Sequence, residues 1–476
     1  MYSIKSQSLK KKFTTSLESR IKNLKLPTFD YTPPAYNGPS YEEVLSNRQE
    51  YVSPGKFLFY KNDPFLISAG KKQYVYDHKN ERYLDFFAGI VTVSVGHAHP
   101  RIVKVANDQF NKIIHSSSIY LSQEMTSFAK ELAAKLPKGL HSVFFTNSGG
   151  EANELAMLMS RLYTGNSTIL SLRNGYHGMG GGCMELTNLN TWKYNIPSRQ
   201  GIEKVNCPNL YRGSFQVGNK YTEEEACDKY VEDLEQVLRF NTSGQVASIF
   251  VEPIQGVGGK VEIPRSYMQK AVPLVRQHKG LWISDEVQTG FGRLGTSYWG
   301  FEQYGMVPDI VTMAKGIGGG IPLAAVVTRP EIAEVLKQKL TFNTYGGNQL
   351  SSAVGREVIK IIDDEKLQNN CNEIGNKYLL PSLKKLEEKY NFVGEVRGKG
   401  LMLGLEFVKN KTTKEPNPEV ADRVLLRAKQ LKLLLGKGGI YGNTLRITPP
   451  MCITKQDAEF AVEVFDIIFQ EEANRK

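Results

Sequence analysis

Four short apolar, β-rich runs each stop abruptly at polar or glycine-rich residues, in SVFFTNSGGEAN (142 to 153), SIFVEPIQG (248 to 256), LWISDEVQTGFGR (281 to 293) and DIVTMAKGIGGG (309 to 320). From about residue 100 to 340 such runs alternate with helical patterns, which is the signature of βαβ units and a mostly parallel sheet. The carboxyl ends of strands in such a sheet converge on one crevice. The fold class is therefore α/β, and the residues just after those runs are the candidates for chemistry.

Two of the runs end at Asp285 and Lys315, and Gln288 follows three residues after the first. An acid, an amide and an amine brought to one crevice, with a glycine turn opening a helix, are the parts needed to hold a phosphorylated pyridine aldehyde. A carboxylate beside a pyridine nitrogen raises that nitrogen's pKa through charge, the role assigned to Asp285. Gln288 can donate to the ring's phenolic oxygen. A lysine inside a glycine-rich turn is partly desolvated, so Lys315 is the candidate Schiff-base amine and proton shuttle. Capping of a turn by Asp285 is the competing reading, and the run Asp285-Glu286-Val287-Gln288-Thr289-Gly290-Phe291-Gly292-Arg293 weighs against it. Ser148, Gly149 and Gly150 leave N–H groups free at a predicted helix start, where an anion is favoured. That stretch alone fits a simple N-cap with turning glycines equally well. Tyr176, in Asn174-Gly175-Tyr176-His177-Gly178, is placed to stack on a ring, with an ordinary core aromatic as the alternative.

Other classes are disfavoured by the same pass along the chain. No P-loop and no spaced Gly-x-Gly-x-x-Gly follows a strand, which argues against nucleotide binding. The best membrane candidate, Phe86 to Val95, is far short of the roughly 18 to 20 apolar residues a span needs. The five cysteines are odd in number and scattered, so neither a disulfide framework nor a zinc site is indicated, and no metal is expected. Of the net charge of +11, residues 1 to 26 hold +6, from seven basic side chains against Glu18. The body is only mildly basic and lacks arginine–aromatic patches, which weighs against nucleic acid as a partner.

That first segment is Ser/Thr-rich and sets Leu9, Phe13, Leu17, Ile21 and Leu24 at helical spacing, the pattern of a mitochondrial transit peptide; a disordered basic tail is the plainer option. The expected organisation is a transit peptide and disordered leader over 1–40, an N-terminal arm over 41–99, a large domain over 100–345 and a smaller domain over 346–476. Cleavage of the leader is expected near residues 25 to 40. Within these, Tyr41 to Tyr51 is a predicted helix, Tyr74 to Asp77 and Arg82 to Phe87 a predicted hairpin, and Glu151 to Tyr163 a predicted helix. Its stripe Leu155, Leu158, Met159 and Leu162 should face the sheet. Long helices over Ser351 to Asp364 and Asn369 to Lys389, two strands near 394 and 401, and a last helix from Lys455 are expected in the second domain.

With these motifs in hand, the chain resembles the class III, or ω-type, aminotransferases, and within them the mitochondrial alanine–glyoxylate aminotransferase 2 family. The resemblance rests on Tyr83 to Gly89, Gly96-His97, Asn147-Ser148-Gly149 with Glu151-Ala152-Asn153, Asp285 to Arg293, Ala314-Lys315-Gly316, Asn343 to Asn348 and Leu445-Arg446-Ile447. Gly89 to His97, Leu186-Thr187-Asn188, and Cys207-Pro208 with Arg212-Gly213 point to the narrower group. It implies the aspartate-aminotransferase-like fold, with a seven-stranded, mostly parallel sheet in the large domain and a smaller α+β C-terminal domain. It also implies pyridoxal 5'-phosphate as cofactor, with Lys315 bonded to it, Asp285 on its nitrogen and Tyr176 on its ring. Arg446 matches the arginine that grips the substrate carboxylate. A homodimer or homotetramer is implied, with Thr344 reaching the phosphate of the partner subunit. Transamination of alanine, or a similar small amino acid, with glyoxylate in the mitochondrial matrix is the expected activity. A β-alanine or 3-aminoisobutyrate to pyruvate enzyme is the alternative. Three departures stand out: Val257 replaces the glutamate that shields the arginine in ornithine-type relatives, Gly150 replaces a serine or threonine, and Gly180-Gly181-Gly182 replaces bulkier residues in a loop expected to line the pocket.

Overall fold

The computed structural model describes residues 17–195, 201–218 and 220–475. Its centre is a seven-stranded sheet formed by β1 (Ser142–Thr146), β2 (Ile169–Leu172), β3 (Ile202–Val205), β4 (Ser248–Val251), β5 (Leu281–Asp285), β6 (Ile310–Met313) and β7 (Ala324–Thr328). The spatial order is β1-β7-β6-β5-β4-β2-β3. Strands β3, β2, β4, β5 and β6 run parallel, and β7 lies antiparallel to both β6 and β1. Strands β2, β4, β5, β6 and β7 are buried along their whole length, which is why they read as mostly apolar runs instead of alternating, whereas β3 at the edge carries Glu203 and Lys204.

A helix, α1 (Gly149–Thr164), follows β1 directly. Ser148 caps it by accepting the Glu151 N–H at 3.2 Å, and Gly165 ends it in the left-handed conformation at φ 70°. The predicted helix is present, and its expected sheet-facing stripe is half right: Met159 is buried and Leu155 packs against the core, but Leu158 and Leu162 face outward. Ala152, Asn153, Ala156, Met157, Met159 and Ser160 are buried, whereas Leu158 and Leu162 are 45% and 38% exposed. Small side chains let the helix axis approach the sheet closely, and this outweighs the burial of two leucines.

A separate four-stranded antiparallel sheet (Val393–Lys399, Met402–Phe407, Thr444–Ile447, Gly436–Gly438) builds the second layer, flanked by Pro418–Gln430 and the last helix, Lys455–Ala473. The predicted helix from Asn369 to Lys389 is a continuous helical run whose middle, Cys371–Leu379, has the wider π pitch. Gly375 lies there against Gly400, whose carbonyl oxygen would stand 2.2 Å from an added Cβ. The predicted hairpin is Tyr74–Asp77 against Arg82–Asp85, and Asp77 Oδ1 accepts the N–H groups of Lys79 and Glu81 inside its turn. This hairpin is extended by Leu433–Leu434, which pairs parallel with Arg82–Asp85. The amino-terminal segment and the carboxyl-terminal portion thus share one sheet.

The segment expected as a leader, residues 1–40, is described from residue 17 onward. Residues 17–23 are helical, and Leu17, Ile21, Leu24, Leu26, Phe29 and Tyr31 pack against the main core. Arg20 donates to Glu463, Asp466 and Gln470 of the last helix at 2.8 to 2.9 Å. The apolar spacing that reads as a targeting helix is also a docking face, and the last helix offers acids to meet its arginine. Leu9 and Phe13 of the same pattern lie outside the described residues.

After the hairpin comes a turn of the opposite hand. Ala88, Gly89, Ile90 and Val91 have φ of 50°, 58°, 66° and 65°. Each non-glycine residue in that conformation costs about 1–2 kcal/mol. Asp85 Oδ1 holds the entry by accepting from the N–H groups of Phe87 and Ala88, and Ala88 and Val91 are buried.

Candidate active site

The strand ends and the antiparallel sheet enclose a cavity of about 1420 Å³. Ser148, Gly149, Gly150, Tyr176, Asp285, Gln288, Lys315 and Arg446, eight of the nine residues singled out from the sequence, line it. Thr344 does not. It is exposed on the segment beyond Phe342 and Asn343, which do reach the cavity.

Asp285 terminates β5, 3% exposed. Its Oδ2 accepts from Asn153 Nδ2 at 2.9 Å and His177 Nδ1 at 2.7 Å, and its Oδ1 accepts the Val287 N–H at 3.1 Å. Three donors leave lone-pair capacity on an ionised carboxylate for one more. Burial opposes charge on His177, but its hydrogen bond to Asp285 and that carboxylate's charge prevail and raise its pKa. Glu252, at the end of β4, takes the N–H groups of Tyr176 and Gly256 at 2.9 and 2.8 Å. Its pKa is raised, first by burial and also by the Asp285 charge.

Lys315 follows β6 with φ 51°, a left-handed conformation that non-glycine residues rarely hold and that clusters at functional sites. Burial lowers its amine to about 8, with Asp285 pulling up, Arg446 pushing down and Glu252 pulling up. On β1's exit, the Ser148 hydroxyl caps α1, and among the described residues none accepts from the Gly149 or Gly150 N–H. These two N–H groups form an anion cradle at a helix start. Gly149 has a further reason: a Cβ there would stand 2.9 Å from Val287 Cγ2. Gly150 is roomier, its nearest neighbour being 3.8 Å from an added Cβ. Tyr176 packs edge-on to Trp192 at 5.0 Å between ring centroids.

Gln288 is clamped. Its amide lies so close over Gly256 that an added Cβ would sit 2.3 Å from Gln288 Cδ. Its Oε1 accepts from Arg446 Nη2 at 3.1 Å and from the fully buried Lys260 Nζ at 3.3 Å. Arg446 stands on Thr444–Ile447 of the antiparallel sheet, over the Phe87 ring at 5.2 Å. Burial lowers its guanidinium to about 10. Among the described residues no carboxylate makes an ion pair with it, and its buried Nε has no partner. Val257 lines the same cavity.

The Gly180 to Gly182 run serves a purpose the sequence did not reveal. Glu154 Oε1 accepts the N–H groups of Gly182 and Cys183 at 2.9 Å, and a Cβ on Gly180 or Gly182 would fall within 2.7 Å of its carboxylate. The sequence reading also passed over Asn153, His177, Glu252 and Lys260 as participants. The first two lay inside quoted motifs, beside Glu151 and Tyr176, so adjacency to a motif was their signal; Lys260 gave none.

The sequence matches the aminotransferase class-III family over residues 59–469. The chain belongs to that family. Alanine–glyoxylate aminotransferase 2 homolog 2, mitochondrial, of Arabidopsis thaliana is 46% identical to it over 442 residues, covering 93% of this chain and 90% of the relative. The human protein named alanine–glyoxylate aminotransferase 2, mitochondrial, is 42% identical over 459 residues, covering 93% and 88%. Among solved structures, a thermostable (S)-enantioselective omega-transaminase from Thermomicrobium roseum superposes with a TM-score of 0.84 at 31% identity, over 91% of this chain and 99% of that one.

As a class III aminotransferase the chain uses pyridoxal phosphate, amino acids and oxo acids. The residues present fit that cofactor. A carboxylate with spare acceptor capacity lies deep in the cavity, an amine of lowered pKa lies near it, and a pair of open N–H groups starts a helix. No helix among the described residues is long and apolar enough to cross a membrane.

Proposed function

We propose that this aminotransferase moves the amino group of alanine to glyoxylate, leaving pyruvate and glycine, in two half-reactions on one site. The observation that carries it is Arg446: a buried guanidinium whose Nε has no partner and which makes no ion pair with a carboxylate among the described residues, on the wall of the cavity that also holds Lys315. A planar guanidinium pairs with a carboxylate through two hydrogen bonds, so a short α-amino or α-oxo acid is fixed with its reactive carbon turned toward the amine. The names of the Arabidopsis and human relatives support alanine and glyoxylate as the pair.

When bound, pyridoxal phosphate spreads into its ring the negative charge left by removing a proton from the substrate carbon. Lys315 Nζ takes that proton and returns it, its lowered pKa keeping a sizeable neutral fraction near neutral pH. Asp285, hydrogen-bonded by His177 and Asn153, would hold the proton on the ring nitrogen. The Gln288 amide donates to the phenolic oxygen. Ser148, Gly149 and Gly150 bind the phosphate, and Tyr176 and Val287 offer apolar surface to the ring.

The reading extends to assembly and place. The exposed side chains of Ile119, Tyr120, Leu121, Leu340 and Phe342 are more apolar surface than a monomer usually leaves in water, which supports a homodimer or homotetramer in which Thr344 completes a neighbouring phosphate site. The basic leader and the mitochondrial names of the relatives support the mitochondrial matrix. We propose an arm over 41–99, a large domain over 100–345 and a small domain over 346–476.

The test is a donor and acceptor screen on the purified protein. Alanine should bleach a near-violet absorbance band and glyoxylate should restore it with glycine formed. Bleaching by β-alanine or 3-aminoisobutyrate but not by alanine would replace this reading with the β-amino one.

A further inference from the structure

Lys260 is the most deeply buried lysine beside the cavity, 0% exposed, yet it does not line it. Its backbone is left-handed at φ 63°. Its stem crosses Gly404, where an added Cβ would meet Lys260 Cβ at 2.9 Å. Gly404 is paired across the antiparallel sheet with Arg446, so the lysine runs beside the proposed substrate-binding strand to reach Gln288. A niche made by a missing side chain, on a strand that also carries Arg446, is a built feature.

The chemistry of the amide makes the consequence specific. An arginine can only donate; a lysine ammonium likewise only donates, whereas a neutral lysine amine donates but also carries a lone pair that can accept. Arg446 therefore requires the end of the Gln288 amide it meets to be the oxygen, and Lys260 Nζ lies on that same oxygen, so the NH₂ end is left for the remaining directions. Arg446 alone gives one anchor about which the amide can swing; Lys260 supplies the second.

We propose that Lys260 is a positioning residue that pins the Gln288 amide by its oxygen, committing the NH₂ end to the bound cofactor. This deepens the function proposed above and rests on it. Around Lys260 stand Arg446, Arg293, Lys315 and Glu252, with Arg397 bonded to the Gly259 carbonyl beside it. Burial and the three neighbouring cations lower its pKa well below the ordinary value, which is compatible with a neutral donor.

The experiment uses the holoenzyme and two variants, Lys260→Met, which keeps the stem and removes the donor, and Lys260→Gln, which keeps a donor. The readout is the pH midpoint of the visible absorbance band, with a thermal melt as the control for folding. A donor to the ring's oxygen weakens that oxygen's hold on a nearby proton, so losing it should raise the midpoint. We expect Lys260→Met to shift it upward by about half a pH unit or more, a threefold change in the underlying equilibrium, and Lys260→Gln to stay nearer the wild type. Equal shifts in both, or no shift in either, overturn the proposal. A crystal structure of the wild-type holoenzyme with Lys260 Nζ out of hydrogen-bond reach of Gln288 overturns it whatever the variants do. A wild-type protein that shows no such band on adding pyridoxal phosphate would instead defeat the broader functional reading.

Discussion

Lys315 titrates near 8, and this makes a kinetic prediction. Only a neutral amine attacks an aldehyde carbon. At about pH 7.5, an amine with a pKa near 8 is roughly one quarter neutral, whereas one with the solution value near 10.4 is roughly one part in a thousand neutral. The pocket therefore speeds capture of the aldehyde about 200-fold through this fraction alone. Mixing apoenzyme with pyridoxal phosphate in a stopped-flow instrument, from about pH 6 to about pH 10, should show a rate that climbs to a plateau with a midpoint near 8. The neighbours fix the signs of two further shifts. Asp285 favours the ammonium form, so Asp285→Asn should move the midpoint lower. Arg446 disfavours it, so Arg446→Met should move the midpoint higher. A wild-type midpoint near the solution value, or the two variants moving in the same direction, would refute the electrostatic account of this amine.

Arg446→Ala should lower kcat/KM for alanine by about 30-fold or more, the worth of a charge-assisted pair of hydrogen bonds of at least 2 kcal/mol; steady-state rates on alanine against an amine lacking a carboxylate check it. Gly150→Ser places a hydroxyl where an added Cβ has no neighbour nearer than 3.8 Å, so the apoenzyme should bind pyridoxal phosphate about tenfold more tightly in a fluorescence titration. Gly256→Ala drives a methyl into the Gln288 amide, and activity should fall more than tenfold with the overall fold retained by circular dichroism. Arg20→Ala should cost only about 1 kcal/mol in a urea melt, since its three contacts are partly exposed. Removing residues through Tyr31 should cost clearly more, because Leu24, Leu26 and Phe29 lose their buried contacts with it.

The central sheet and its chemical groups were readable because one physical rule serves both. A buried parallel strand must be apolar throughout, so the first polar residue after it marks the crevice, and Asp285, Lys315 and Ser148 stand there. Residues whose roles arise from approach in space escaped. Lys260 follows a short loop near no strand end of the large sheet, and only Gly404, more than a hundred residues on, gives it room. Likewise the stripe Leu155, Leu158, Met159 and Leu162 obeyed helical spacing, yet only Leu155 and Met159 face the core while Leu158 and Leu162 face outward, because close contact between α1 and the sheet favours small residues such as Ala152 and Ala156. The docked segment around Arg20 was hidden for another reason: an amphipathic basic helix looks the same whether it addresses a receptor or rests on its own acidic carboxyl-terminal helix.

Strand Arg82–Asp85 finds its partner in Leu433–Leu434, some 350 positions later, as Lys432 Nζ finds Glu81. Loop closure over so great a separation is slow and comes late. A ribosome emitting this polypeptide holds an unfinished first sheet until residues 433 and 434 have been made, after most of the chain is synthesised. Whatever carries the nascent chain must shield that open hairpin edge, and a nonsense mutation anywhere before residue 433 leaves the hairpin without its last strand.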